Sequence, residues 1–218
     1  MTELYKNDIK ELSNKLSFLP RNWDGKEAIL ELKNADYNWR QMEWIGFYLE
    51  YKVRQLLKNT RFHIPGDTFG AVTFDAKGFI NWDVKAKAIK CDSRSVILND
   101  RIAMEQSIEQ KRFHGEIIGL LDVHYNDNNR SFQQWHSELK GGLSKYEQDR
   151  IQRTSVSRYR KTDAQLAQIL LVVFDKNDLE NLPIMKQGRN SNGNLRKEKY
   201  MLNLDNIDQY EYYTVEYL

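Results

Sequence analysis

The sequence predicts an α/β domain, a central mixed β-sheet flanked by helices, and three observations predict it. Apolar stripes at helical spacing alternate along the chain with shorter runs of strand character. One run, Phe79 to Ile89, alternates apolar and charged residues with a period of two and follows the turn-forming stretch Asp75-Ala76-Lys77-Gly78. Two others, Ile117-Ile118-Gly119-Leu120-Leu121 and Ile169 to Phe174, are continuous apolar segments of strand length. Helices interleaved with such strands pack on the faces of a shared sheet. A chain of 218 residues suffices for one good-sized core. With three prolines and no low-complexity tract, residues 1–218 read as a single domain.

In chain order, residues 2–19 place Leu4, Ile9, Leu12, Leu16 and Leu19 at roughly helical spacing, and Pro20 ends that segment. Asp24 is a candidate cap for a helix over Lys26 to Leu32. Tyr37 to Leu57 carries the strongest helical stripe: Met42, Ile45, Leu49, Val53 and Leu56. Thr68 to Phe74 and Phe79 to Ile89 read as a β-hairpin turning at 75–78. Leu98 to His114 reads as a helix stopped by Gly115. A buried strand follows within Glu116 to Tyr125, then a turn-rich loop over Asn126 to Arg130. Ser131 to Ile151 is expected to be helical with a break near Gly141-Gly142, and Leu166 to Phe174 is a second buried strand.

Composition excludes several classes. The chain is 40% hydrophobic and 29% charged, with a mean hydropathy of -0.74 and a net charge of +2. No apolar run reaches membrane-spanning length and no leader pattern is visible, so a cytoplasmic protein without a membrane partner is expected. The single cysteine, Cys91, rules out an internal disulfide and a cysteine-rich zinc site. Its simplest reading is a small buried side chain. The four histidines form no helical metal pair, and neither a P-loop nor a Gly-x-Ser-x-Gly elbow is present. His124 and Asn126 only faintly suggest a histidine-type nuclease loop, and turn chemistry explains them.

The chemistry is expected on the alternating strand. Trp82, Val84, Ala86 and Ala88 share one face, and Asp83, Lys85 and Lys87 share the other. A carboxylate thus stands beside an ammonium group, and a second acid, Asp67, lies at the hairpin entrance in Pro65-Gly66-Asp67. This arrangement resembles the PD-(D/E)XK nuclease superfamily, whose motif is an acid near the start of one strand and acid-any-Lys on the next. The departure here is Gly66, inserted between Pro65 and Asp67. Acid-x-Lys triplets also occur at Asp8, Asp24, Glu31, Asp75, Glu109 and Glu138, but in helical or turn patterns. The helix acid of that family, often in Gly-x-x-x-Glu, matches Gly46 to Glu50, with Glu43 as the alternative. The resemblance covers roughly residues 37–174 and implies a restriction-endonuclease-like core. It also implies one or two Mg²⁺ ions held by Asp67, Asp83, the Val84 carbonyl and Glu50. Lys85 would orient water and stabilise developing charge. Asp75, in the expected turn, serves as a control position.

The activity implied is that of a type II restriction enzyme, cutting double-stranded DNA at a specific, palindromic site as a homodimer. A repair or recombination nuclease such as a junction resolvase, and a DNA-binding protein without chemistry, stay open as alternatives. Two basic segments combine charge with short polar donors, although each also fits a solvated loop. In the first, about 150–161, Arg153, Arg158, Arg160 and Lys161 are expected to grip phosphates. In the second, about 186–199, Lys186, Gln187, Arg189, Asn190 and Arg196 are DNA-binding candidates, with Arg189 as base reader. Arg40, Gln41 and Met42 are the alternative reading surface. The Tyr210 to Tyr213 stretch could serve a dimer interface or form a plain edge strand.

Overall fold

The computed structural model describes residues 4–65, 74–90, 93–143, 145–153, 159–189 and 193–217. Its elements run α1 (Tyr5–Leu16), β1 (Asn22–Asp24), α2 (Gly25–Asn34), α3 (Trp44–Leu57), β2 (Ala76–Lys77), β3 (Asn81–Ala88), β4 (Ser95–Asp100) and α4 (Arg101–Lys111). They continue with β5 (His114–His124), α5 (Ser131–Leu139), α6 (Lys145–Gln152), β6 (Asp163–Phe174), α7 (Lys176–Asn181), β7 (Ile184–Met185) and β8 (Lys199–Asn203). A 3₁₀ turn (Leu204–Gln209) leads into β9 (Glu211–Glu216).

The main sheet has the order β1-β6-β5-β3-β2, with β9 also paired to β6. β3 and β5 are parallel and the other described pairs are antiparallel, so the sheet is mixed, as expected. Its two faces bury separate cores. One core joins α1, α2 and α3 to Trp82, Val84, Ile117, Leu121, Leu166, Ile169, Leu171 and Val173. The other joins α4 and a small sheet, ordered β4-β8-β7, to Ile118, Leu170, Val172 and Phe174. The change of parity in β6, from Ala164 and Leu166 to Ile169 and Leu171, comes from a bulge. Leu120 pairs with Gln168 but Leu121 with Leu166, leaving Ala167 as the extra residue. Strands β3 and β5 meet with no spare room: a Cβ on Gly115 would lie 2.3 Å from the Trp82 ring.

Several expectations hold. Asp24 caps α2 by accepting the N–H groups of Lys26 and Glu27 at 2.9 and 3.0 Å. The helical stretch after Ser131 breaks around Gly141 (φ 86°) and Gly142 (φ 125°). Among the described residues no helix is long and apolar enough to cross a membrane.

Three boundaries move. The α3 helix starts at Trp44, not Tyr37, because Asp36 (φ 52°) and Asn38 (φ 41°) adopt left-handed backbone that a right-handed helix cannot contain. The hairpin turn lies at Gly78 to Ile80, where Gly78 N–H donates to the Ile80 carbonyl at 2.9 Å. Its expected first strand, Thr68 to Phe74, lies outside the described residues except for Phe74. Residues 95–100 form β4 instead of the start of a helix, since Val96 and Leu98 alternate into the second core while pairing with β8, about a hundred residues away. Gly115 consequently lies inside β5 and terminates nothing. Instead, Arg112 (φ 71°) closes α4.

Candidate active site

The polar face of β3 lies where the second core ends, at the β2 side of the sheet. There Asp83 and Lys85 form an ion pair, as their spacing on one strand face suggests. That face is not open to solvent. Asp83 is 6% exposed, and only the Lys85 side chain retains some access. Burial alone would raise the Asp83 carboxyl, but Lys85, Asp75 and His114 hold it below the usual carboxylate range.

Asp75 is where the structure departs most from expectation. It does not sit at a turn tip. It directly precedes β2, donates its N–H to the Trp82 carbonyl at 3.0 Å, and accepts the Val84 N–H on Oδ2 at 2.7 Å. Its carboxyl also hydrogen-bonds to Asp83 and Glu50. Burial, then the neighbouring charges of Asp83 and Glu50, push it up to about 10, so it is protonated at neutral pH and its one O–H is available to the Asp83 carboxylate. As a control position it is unsuitable.

Glu50 reaches this group from α3. Tyr37 donates its hydroxyl to Glu50 Oε1, and burial raises the Glu50 carboxyl against the opposing pull of Tyr37, Asp75 and Arg54. Burial and Glu50 in turn push the Tyr37 hydroxyl far up. Glu43 is elsewhere, exposed and ion-paired with Lys161. Asp67 lies outside the described residues. The nearest described anchor of its segment is the Pro65 carbonyl, which accepts from Arg54 at 3.2 Å.

Strand β5 adds two groups that sequence reasoning missed. His114 and Glu116 stand in register with Asn81 and Asp83 on the parallel neighbour. Both are fully buried. Asn81 donates to Ser107 Oγ at 2.9 Å, Ser107 Oγ lies 3.2 Å from His114 Nδ1, and His114 Nε2 lies 3.5 Å from Glu116 Oε1. Among the described residues, Glu116 Oε2 and His114 Nε2 have no hydrogen-bond partner. Burial would lower the Lys85 ammonium, but Asp83, Glu116 and Asp75 push it well above the ordinary lysine range. The available signal was parity: residues 114, 116 and 118 share a strand face, so an acid within a buried strand had to face something polar.

Three carboxyl groups, Asp83, Glu116 and Asp75, therefore surround one ammonium, and Glu50 joins the group through Asp75. Among the described residues no three His, Cys, Asp or Glu side chains already form a metal cage. Lys85 occupies an oxygen of Asp83, and Tyr37 occupies one of Glu50.

The basic segments separate. Arg160 is buried and ion-paired with Glu147 at 2.6 Å, so it holds the α6 region together and does not reach outward as a phosphate grip. Lys161 pairs with Glu43, and its carbonyl accepts the Trp44 indole N–H at 2.8 Å. Arg153 follows α6 on the surface, and Arg158 lies outside the described residues. In the excursion between β7 and β8, Lys186, Arg189 and Arg196 are exposed, and Gln187 donates to the Lys197 carbonyl at 3.1 Å. Arg189 donates to the Gly193 carbonyl at 2.7 Å, and Asn190 is outside the described residues. Lys197 and Lys199 approach Asp100, at 3.4 and 3.8 Å, and the neighbouring Asn99 N–H points to Glu116 Oε1 at 3.4 Å, so this excursion is rooted near the acid cluster. Arg40, Gln41 and Met42 are exposed just before α3. Tyr212 and Tyr213 hydroxyls donate within the chain, to Asp208 and Glu211, on an edge strand.

No protein-family model matches the chain, and no curated protein does. Among solved structures, the chain is similar to the crystal structure of the restriction endonuclease BglI bound to its DNA recognition sequence. The identity is 10% and the TM-score 0.36, over 98% of this chain and 94% of that one.

Proposed function

We propose that the chain is a Mg²⁺-dependent endonuclease acting on double-stranded DNA. The observation that carries the reading is the convergence of Glu50, Asp75 and Asp83 with Lys85 at one sheet edge. In the motif resembled, Asp75 is the better first acid: it precedes β2, the strand paired with the Asp83-Val84-Lys85 strand. We assign that role to Asp75, and Asp67 lies outside the described residues.

The donor set suits a hard divalent cation, since it consists of carboxylate oxygens and lacks sulfur. The protonation of Asp75 supports the fit: like charges crowd there faster than Lys85 can balance them, and a cation would favour the ionised form. Asp75, Asp83 and Glu50 would hold the ion, with the Val84 carbonyl as a further oxygen. Bound there, Mg²⁺ would offset phosphate charge and activate the attacking water. The chain's own groups do the rest. Asp83 keeps Lys85 charged and aimed, Lys85 offers a donor to charge developing on the phosphate, and the Asp75–Val84 bond fixes the motif backbone against β2.

A type II restriction enzyme is the finer reading, as a homodimer with one centre for each strand of a palindrome. Incubating plasmid DNA with Mg²⁺, and in parallel with EDTA, tests it. Discrete fragments support restriction, cutting of branched substrates alone supports a resolvase, and retention without cutting refutes catalysis. Light scattering on cognate DNA should give about twice the 25.9 kDa chain mass beyond the DNA itself.

A further inference from the structure

The loop before α3 does more than deliver Tyr37 to Glu50. Two residues on, Trp39 carries two cations: Lys33 Nζ lies 5.2 Å and the Arg40 guanidinium 4.9 Å from its ring centre. The ridge is tied to α5, because His136 Nε2 meets the Trp39 carbonyl at 3.0 Å and Arg40 donates to the Lys140 carbonyl at 2.8 Å. On α5, Trp135 stacks on His136 and carries a third cation, Lys26, at 5.5 Å. Lys26 and Lys33 are seven residues apart on α2, two turns along one helix face. Among the described residues none of these three cations has a carboxylate partner. Of the acids nearby, Glu31 is matched with Tyr48 and Lys52, Glu43 with Lys161 and Glu147 with Arg160.

We propose that this ridge, Lys26, Lys33 and Arg40 mounted on Trp39 and Trp135, grips the phosphates of double-stranded DNA and leads the strand toward Glu50 and Asp83. The inference rests on the nuclease reading and adds a surface that neither basic loop supplies. Cations parked on aromatic faces are held in place without an ion pair that must be broken on binding, so a phosphate meets a prepared partner. Arg40 gives one N–H to the Lys140 carbonyl, and a guanidinium has further donors to offer phosphate oxygens.

The test is anisotropy of a short labelled duplex with Ca²⁺ in place of Mg²⁺, over a series of salt concentrations, alongside Mg²⁺-dependent plasmid cleavage. The double variant Lys33→Ala/Arg40→Ala should bind more weakly and lose roughly two units of salt slope, about 0.9 per phosphate contact. Trp39→Ala, which removes no charge, should also weaken binding, with Trp39→Phe restoring part of it. Lys111→Ala, an exposed lysine on α4, should behave as wild type. If the wild type cuts DNA and the double variant keeps the full slope, the ridge is not the grip and this inference alone falls. If the wild type neither binds nor cuts duplex DNA, the nuclease reading falls and takes the ridge with it.

Discussion

Asp75 accepts the backbone N–H of Val84 at 2.7 Å, which ties the first acid of the cluster to the residue between Asp83 and Lys85. One hydrogen bond thus sets the spacing of groups contributed by two strands. Because the same carboxyl is buried among like charges, the residue proposed to hold a cation is one that the fold keeps protonated.

Asp75→Asn should therefore separate stability from activity. The folded Asp75 carboxyl stands at about 10, above its ordinary value of 3.8, so its contribution to stability is full below that ordinary value and is lost as pH rises toward 10. The slope is at most about 1.4 kcal/mol per pH unit. In urea melts with EDTA, Asp75→Asn should gain on the wild type at pH 8 relative to pH 5, while Mg²⁺-dependent cutting disappears. Equal pH dependence in the two proteins would contradict the buried, repelled carboxyl.

Asp83→Ala and Lys85→Ala should each reduce cleavage by at least about a hundredfold, the scale of losing a group that stabilises developing charge. DNA binding in Ca²⁺ should survive Lys85→Ala. Asp83→Ala should also cost stability, since it leaves Lys85 among fewer anions. Cutting at wild-type rates by either variant would dismiss the assignment.

Asp8 is predicted to be structural. It is fully buried and accepts from Phe79 N–H (3.1 Å), Ile80 N–H (3.1 Å), Trp82 Nε1 (3.0 Å) and Arg61 (2.6 Å). It pins α1 to the β2–β3 turn. Asp8→Ala should lower unfolding stability by about 3–5 kcal/mol, read in denaturant melts, because several donors lose one acceptor together.

His136 predicts an acid limit. Burial, then Lys140, pull it down to about 4 from 6.5, so the folded state prefers the neutral ring. Stability from this group is full above about pH 6.5 and falls as pH drops toward 4. His136→Gln should flatten that acid limb. An unchanged limb would locate the acid sensitivity in another group.

Sequence alone determined which residues alternate and which follow a helical stripe, because those patterns depend on neighbours a few positions away. The polar face holding Asp83 and Lys85, the Asp24 cap, the break at Gly141-Gly142 and the two buried strands were all legible on that basis. Tertiary structure decided the rest through partners distant in the chain. β4 exists because β8 pairs with it, so Val96 and Leu98 give no local sign that they belong to a strand. Arg160 looked like a surface cation until Glu147, thirteen residues earlier, was found to neutralise it. Asp75 read as a turn residue by composition. Shifting the turn to Gly78–Ile80 moved it to the base of the hairpin, beside Asp83, where burial and like charge raise its carboxyl to about 10. Glu116 depended on the parallel register of β5 against β3, which no local pattern encodes because the strands are joined by an intervening helix.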